Sequence, residues 1–215
     1  AVVVEGTSDQ NYMTAIKNVL IARKKISPRR ELLFVAAGGA KGVNTIAPIL
    51  ASKDEPPMVL LDDDRQGRQF AEQLRSGPVY AGAAERIVSV KDVAKVDGGE
   101  IEDLLQSYVI DAASRMLRNS SDQDFEDVAE RGQPIVPQVE AYAAKCGVPL
   151  PKGWKVDLAR LVKQRLLKDV DNIPDDVLKS WSDLFARFDP TRGRAKAIAK
   201  AFAEVVTPPA PRATE

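Results

Sequence analysis

Short, uninterrupted apolar runs that stop abruptly at acids constrain this chain more than any other feature. Val2-Val3-Val4 is followed by Glu5 and then Asp9, and Met58-Val59-Leu60-Leu61 by Asp62-Asp63-Asp64. Two further runs, residues 32–36 and 86–90, complete a series spaced by stretches with helical periodicity. Runs that are apolar throughout belong to strands covered on both faces, so the series predicts a parallel sheet with right-handed helical crossovers. Ligands of such sheets bind beyond the carboxyl ends of the strands, where these acids are stationed and can converge on one crevice. A third cluster, Glu100-Ile101-Glu102-Asp103, follows the last run.

The intervening segments read as helices. Ser8 or Asp9 can cap one carrying Tyr12, Ile16, Val19 and Leu20 on one face, and residues 43–50 and 65–74 form two more. Gly38-Gly39-Ala40-Lys41-Gly42 lacks the spacing of a phosphate-binding loop or a dinucleotide fingerprint and reads as a tight turn. After about residue 101 the strand signals stop. Residues 101–117 have helical periodicity, residues 120–137 form a polar connection, and helical patterns recur over 139–145, 156–168, 175–188 and 194–205, punctuated by prolines. The expected fold class is therefore α/β, a parallel-sheet domain with helices on both faces (residues 1–117), joined to an all-helical domain (118–206) and a disordered proline-containing tail (207–215).

Composition narrows the chemistry. The chain has no histidine and one cysteine, Cys146, which excludes histidine-based triads, cysteine-rich zinc sites and an internal disulfide framework. Lysine plus arginine and aspartate plus glutamate both number 31, so net charge gives no basic signature of nucleic-acid binding. No apolar run approaches the roughly 20 residues that span a bilayer, and no signal peptide is evident, so a cytoplasmic location is expected. The first residues already read as a strand, which suggests a fragment of a longer protein.

Carboxylates gathered without cations repel one another and call for a hard metal such as Mg²⁺ or Mn²⁺. Each cluster also has a structural explanation. Glu5 could complement a helix dipole, Asp62 to Asp64 could form a solvated turn or helix cap, and Glu100 to Asp103 could be the acidic first turn of a helix. Asp63 could point away from the other two acids of its cluster.

In its βα context, strand-Glu5-Gly6 followed about two βα units later by strand-Asp62-x-Asp64-x-x-Gly67 resembles the Toprim domain of topoisomerases, primases and several nucleases. With Asp9, the Glu100-Ile101-Glu102-Asp103-Leu104-Leu105 segment and the helical region that follows, the chain is more specifically similar to the overcoming-lysogenization-defect (OLD) family of nucleases. The resemblance implies two divalent ions, Mg²⁺ or Mn²⁺. Glu5, Asp62 and Asp64 would form the core of their site, and Asp9, Glu102 and Glu100 would complete the second position, with Glu100 standing where relatives can carry a small or hydroxyl residue. It also implies a lysine that reaches the centre from the helical region. Lys155 is the match and Lys152 the alternative, within a stretch from Lys145 to Lys168 that has a basic excess.

The implied activity is Mg²⁺- or Mn²⁺-dependent endonucleolytic cleavage of DNA, with Glu5, Asp62, Asp64 and Lys155 as catalytic residues, beside an N-terminal ATPase domain missing from this fragment. Arg23-Lys24-Lys25, Arg29-Arg30 and Arg192-x-Arg194-x-Lys196 could contact phosphates or simply be solvated. Topoisomerase- or primase-like Toprim chemistry and a catalytically degenerate DNA-binding module are the alternatives.

Overall fold

In the computed structural model, which describes residues 1–27, 31–51, 55–118 and 123–189, the four apolar runs become strands β1 (Val2–Val4), β2 (Phe34–Ala36), β3 (Met58–Leu61) and β4 (Ile87–Ser89). They form one parallel sheet in the order β2-β1-β3-β4. Val2 lies opposite both Phe34 and Met58, and Val59 opposite Ile87. Helix α1 (Thr7–Ala22) joins β1 to β2, α2 (Ala40–Leu50) joins β2 to β3, and α3 (Arg65–Ser76) joins β3 to β4.

Strand side chains alternate between faces, and both faces are buried. Val2, Val4, Met58, Leu60 and Val88 pack with α1, whereas Val3, Val59, Leu61 and Ile87 pack with α2 and α3. The chain steps from β1 to β2 in one direction, then crosses back over β1 to reach β3. Right-handed crossovers in opposite directions place their helices on opposite faces. The reversal leaves a crevice beyond the ends of β1 and β3, immediately before Glu5 and Asp62.

After β4 come α4 (Lys91–Ala94), a 3₁₀ turn (Ile101–Leu105), α5 (Gln106–Met116), α6 (Phe125–Val128), α7 (Ile135–Lys145), α8 (Trp154–Lys168) and α9 (Asp175–Arg187). The single helix expected over 101–117 is thus two segments. Asp103 explains the break: its carboxylate accepts from the backbone N–H groups of Glu100 (2.9 Å) and Ile135 (3.0 Å) and from the Gln106 amide (2.9 Å), holding the first turn in tight winding and pinning α7 to it. Helix α7 also starts within the stretch expected to be a polar connection. Pro137 lies in its first turn, where a missing N–H is no loss.

These later helices cover the α1 face of the sheet. Helix α8 packs against α1 and α5, and α9 against α1 and α4. Phe34 on β2 meets Phe185 and Phe188 edge-on, at centroid distances of 5.8 and 6.1 Å. The Trp181 indole donates to the Leu104 carbonyl at 2.9 Å. One apolar cluster runs from β1 to Phe188, so the boundary expected at residues 117/118 passes through shared core. The basic run at the end of α1 fastens this packing: Arg23 donates to the carbonyls of Val170 (2.9 Å) and Asp171 (3.0 Å), and Lys25 pairs with Asp175 at 3.0 Å. Arg29, Arg30, Arg192, Arg194 and Lys196, the helix expected over 194–205 and the expected tail lie outside the described residues. Among the described residues no helix is long and apolar enough to cross a membrane.

Candidate metal centre

Glu5 and Asp62 are the first residues beyond two adjacent parallel strands, so the sheet itself brings them side by side. The Asp62 N–H donates to Glu5 Oε1 at 3.2 Å. Asp64 is the N-cap of α3, its Oδ1 accepting from the Gly67 N–H at 2.6 Å, as one structural alternative for this cluster anticipates. The Asp-x-Asp-x-x-Gly spacing has a steric cause: a Cβ on Gly67 would lie 2.2 Å from the Asp62 carbonyl oxygen. Only glycine lets the first turn of α3 approach the strand end so closely.

Helix α1 begins at Thr7 with Gly6 as N-cap, two or three residues before the expected cap at Ser8 or Asp9. Asp9 is instead the third helical residue. It reaches back to accept from the Gly6 N–H at 2.7 Å and takes the Ser8 hydroxyl on its other oxygen at 3.0 Å. Gly38 and Gly39 take positive φ, and the Gly39 N–H donates to the Glu5 carbonyl at 2.7 Å, so the glycine-rich turn braces the acid's backbone.

The third cluster is bound to the second through backbone. Asp63 N–H donates to the Gly99 carbonyl (2.8 Å), Gly98 N–H to Asp63 Oδ2 (3.0 Å), and Ile101 N–H to Asp62 Oδ1 (3.0 Å). Asp63 is buried and pairs with Arg68 and Lys91, turned away from Glu5. Asp63 and Asp103 are therefore fasteners. Glu102 is 1 % exposed, and its Oε1 has no hydrogen-bond partner among the described residues.

Lys155 enters from the first turn of α8, whose packing on α1 carries it across the crevice, and its ammonium pairs with Glu100 Oε2. Lys152 is exposed. Of the other cations in this stretch, Arg160 bonds Asp157 at 2.9 Å and Arg165 lies 3.8 Å from Asp111. Beside Asp62 a cleft of about 430 Å³ opens between α3 and β4, with Arg68, Arg75 and Lys91 in its lining. Sequence reading did not single out these three residues. Their place in the βα unit that follows the Asp-x-Asp cluster is the signal that could have found them.

Electrostatically the acids are under-neutralised. Burial, reinforced by Asp9, Asp64 and Glu100, pushes Glu5 up to about 7 against the backbone hydrogen bond from Asp62. Burial and repulsion from Asp9, Glu102, Glu5 and Glu100 hold Asp62 well above the usual carboxylate range. Glu102 rises to about 8, chiefly through burial, with Lys155 opposing, and burial likewise raises Asp9 and Glu100. Burial disfavours the charged form of Lys155, but Glu102 and Glu100 outweigh it, so the ammonium holds its proton more tightly than an ordinary lysine.

Among the described residues no three acids are already gathered into a coordination shell. The donor set is nonetheless all oxygen, under-neutralised, and contains an orphaned buried carboxylate oxygen, which suits a hard divalent cation. Of the four tyrosines, Tyr12, Tyr80 and Tyr142 are buried and Tyr108 is half-buried. Comparison of the chain with family models, with curated proteins and with solved structures finds no match.

Proposed function

We propose that the chain is the catalytic part of a Mg²⁺- or Mn²⁺-dependent DNA endonuclease of the OLD type, with a Toprim-like centre, acting in the cytoplasm beside an ATPase domain. The observation that carries this reading is the placement of Glu5 and Asp62 side by side at the strand ends where the parallel sheet reverses direction, with Asp64 heading α3 beside them and Lys155 paired to Glu100. Glu5, Asp62 and Asp64 would hold one divalent ion, and Asp9, Glu102 and Glu100 would complete the position of a second. Two such ions, when bound, activate water and neutralise the charge that develops in an in-line phosphoryl displacement.

The chain's own residues supply the rest. Lys155 is a permanently protonated donor at the crevice, suited to the non-bridging oxygens of a scissile phosphate. Freed from Glu100, it could turn to substrate while Glu100 turns to the centre. Arg68 and Lys91 are paired with Asp63, so of the cations lining the α3–β4 cleft Arg75 is the one offered to the flanking backbone, a contact that positions a strand without reading its sequence. The pairing of Glu100 with Lys155 is also what a catalytically degenerate DNA-binding module would display.

Cleavage of supercoiled plasmid with Mg²⁺, Mn²⁺, Ca²⁺ or EDTA, run beside Asp62→Ala, tests the reading. Nicked and linear products that require Mg²⁺ or Mn²⁺ and vanish in the variant are expected. Absence of cleavage together with absence of Mn²⁺ binding by calorimetry would leave only the degenerate module.

A further inference from the structure

Helix α1 carries Asp9 and, three residues on, Tyr12, a spacing that places both on one helical face. Tyr12 is fully buried, and its hydroxyl has no hydrogen-bond partner among the described residues. Buried tyrosine hydroxyls ordinarily find one. The orphaned Oε1 of Glu102 belongs to the same locality: the 3₁₀ turn that bears Glu102 packs against α1, and Glu102, then Asp9, then Glu100 are the charges acting on the Tyr12 hydroxyl. A tyrosine hydroxyl is a neutral donor at neutral pH. A donor and an acceptor, both buried, both unpartnered and drawn from two packed elements, are complementary halves of one interaction.

We propose that Tyr12 is a positioning residue of the acidic centre, its hydroxyl donating to Glu102 through one bridging water and so fixing which oxygen Glu102 presents to a divalent cation. This role rests on the metal-centre reading above. It differs from the role of core filler, which the apolar face of α1 alone assigns to Tyr12. Partners that orient metal ligands contribute about 10- to 100-fold to metal affinity, and Tyr12→Phe removes the hydroxyl while keeping the ring and its packing.

Mn²⁺ titration calorimetry on wild type, Asp62→Ala, Tyr12→Phe, Glu102→Gln and the Tyr12→Phe/Glu102→Gln double variant tests the inference, with thermal melts in EDTA beside each. Asp62→Ala is expected to lose Mn²⁺ binding, which checks the centre itself. Tyr12→Phe is expected to keep a cooperative melt in EDTA, since it retains the ring and its packing, yet to bind Mn²⁺ about 10- to 100-fold more weakly. In the Glu102→Gln background it should cost far less, because the two groups act as a pair. Wild-type Mn²⁺ affinity in Tyr12→Phe, with binding lost in Asp62→Ala, would overturn the role of Tyr12 and leave the centre standing. An equal loss of affinity with and without Glu102 would overturn the Tyr12–Glu102 pairing. Absence of Mn²⁺ binding in the wild type would overturn both the centre and the inference.

Discussion

Asp62, Asp63 and Asp64 share one residue type and one short segment yet face three different environments. Alternation past the end of β3 and the fastening of the 98–101 loop turn Asp63 toward Arg68 and Lys91, leaving Asp62 beside Glu5 and Asp64 at the head of α3. The sequence raised that division for Asp63 but could not settle it, because the partners that hold Asp63 come from three separate segments, α3, α4 and the loop at Gly98. Lys155 was legible only through family resemblance. Its nearest acid, Glu100, lies 55 residues away, a distance across which periodicity carries no information. If Lys155 stabilises charge on the substrate, Lys155→Ala should slow plasmid cleavage by a factor of about 10² to 10³, the usual effect of removing one such donor. Its Mn²⁺ affinity should be unchanged or higher, since a cation competing for Glu100 is gone. Single-turnover cleavage beside calorimetry checks this. A wild-type rate would remove Lys155 from the chemistry.

Helices and strands were more legible than their ends. All four strands appear where continuous apolar runs predict them, since burial on both faces leaves no other place for such segments. The start of α1 was misplaced because an aspartate that reaches back to the N-cap backbone N–H looks, in sequence, like the cap itself. The glycines of the two strand-end motifs also differ in role. Gly6 has φ −128° and ψ 175°, and a Cβ there would meet only ordinary contacts, 3.5 Å from Ser8 Oγ and 3.7 Å from Asp9. At Gly67 a Cβ would strike the Asp62 carbonyl at 2.2 Å, and backbone can yield only by moving α3 or Asp62 itself. Gly67→Ala is therefore expected to cost about 1–3 kcal/mol of stability, as overpacking does, lowering the melting temperature by several degrees and abolishing cleavage. Gly6→Ala should be milder on both counts. Circular-dichroism melts and plasmid cleavage on the two variants measure the contrast, and equal tolerance at both positions would contradict the close approach of α3 to Asp62.

Across the whole molecule, the α/β class and the crevice at the sheet's reversal were legible from the order of runs and acids, whereas the shared core was not. Phe34 meets Phe185 and Phe188 across some 150 residues of chain, and an apolar stripe on α9 announces that it will be buried without saying against what. Burial of the acids at the other end of the strands gives the fold a pH signature. Glu5 and Glu102, ordinarily near 4.5, are pushed to about 7 and about 8, so the folded state holds their protons more tightly than the unfolded chain does. Their contribution to stability is fully present below about pH 4.5 and is lost as pH rises through about 7 and 8. Asp9, Asp62 and Glu100 are shifted in the same sense. With no histidine in the chain, no imidazole titrates in this window to mask the effect. In EDTA the melting temperature should therefore fall as pH is raised from 5 to 8.5, roughly the span of these titrations. Saturating Mg²⁺ or Mn²⁺ should flatten the slope by supplying the positive charge that protons supply at low pH. Scanning calorimetry across that range with and without Mn²⁺ makes the comparison. A melting temperature in EDTA that does not fall with pH would mean the acids are neutralised within the fold, and the electrostatic case for a cation at the centre would fail.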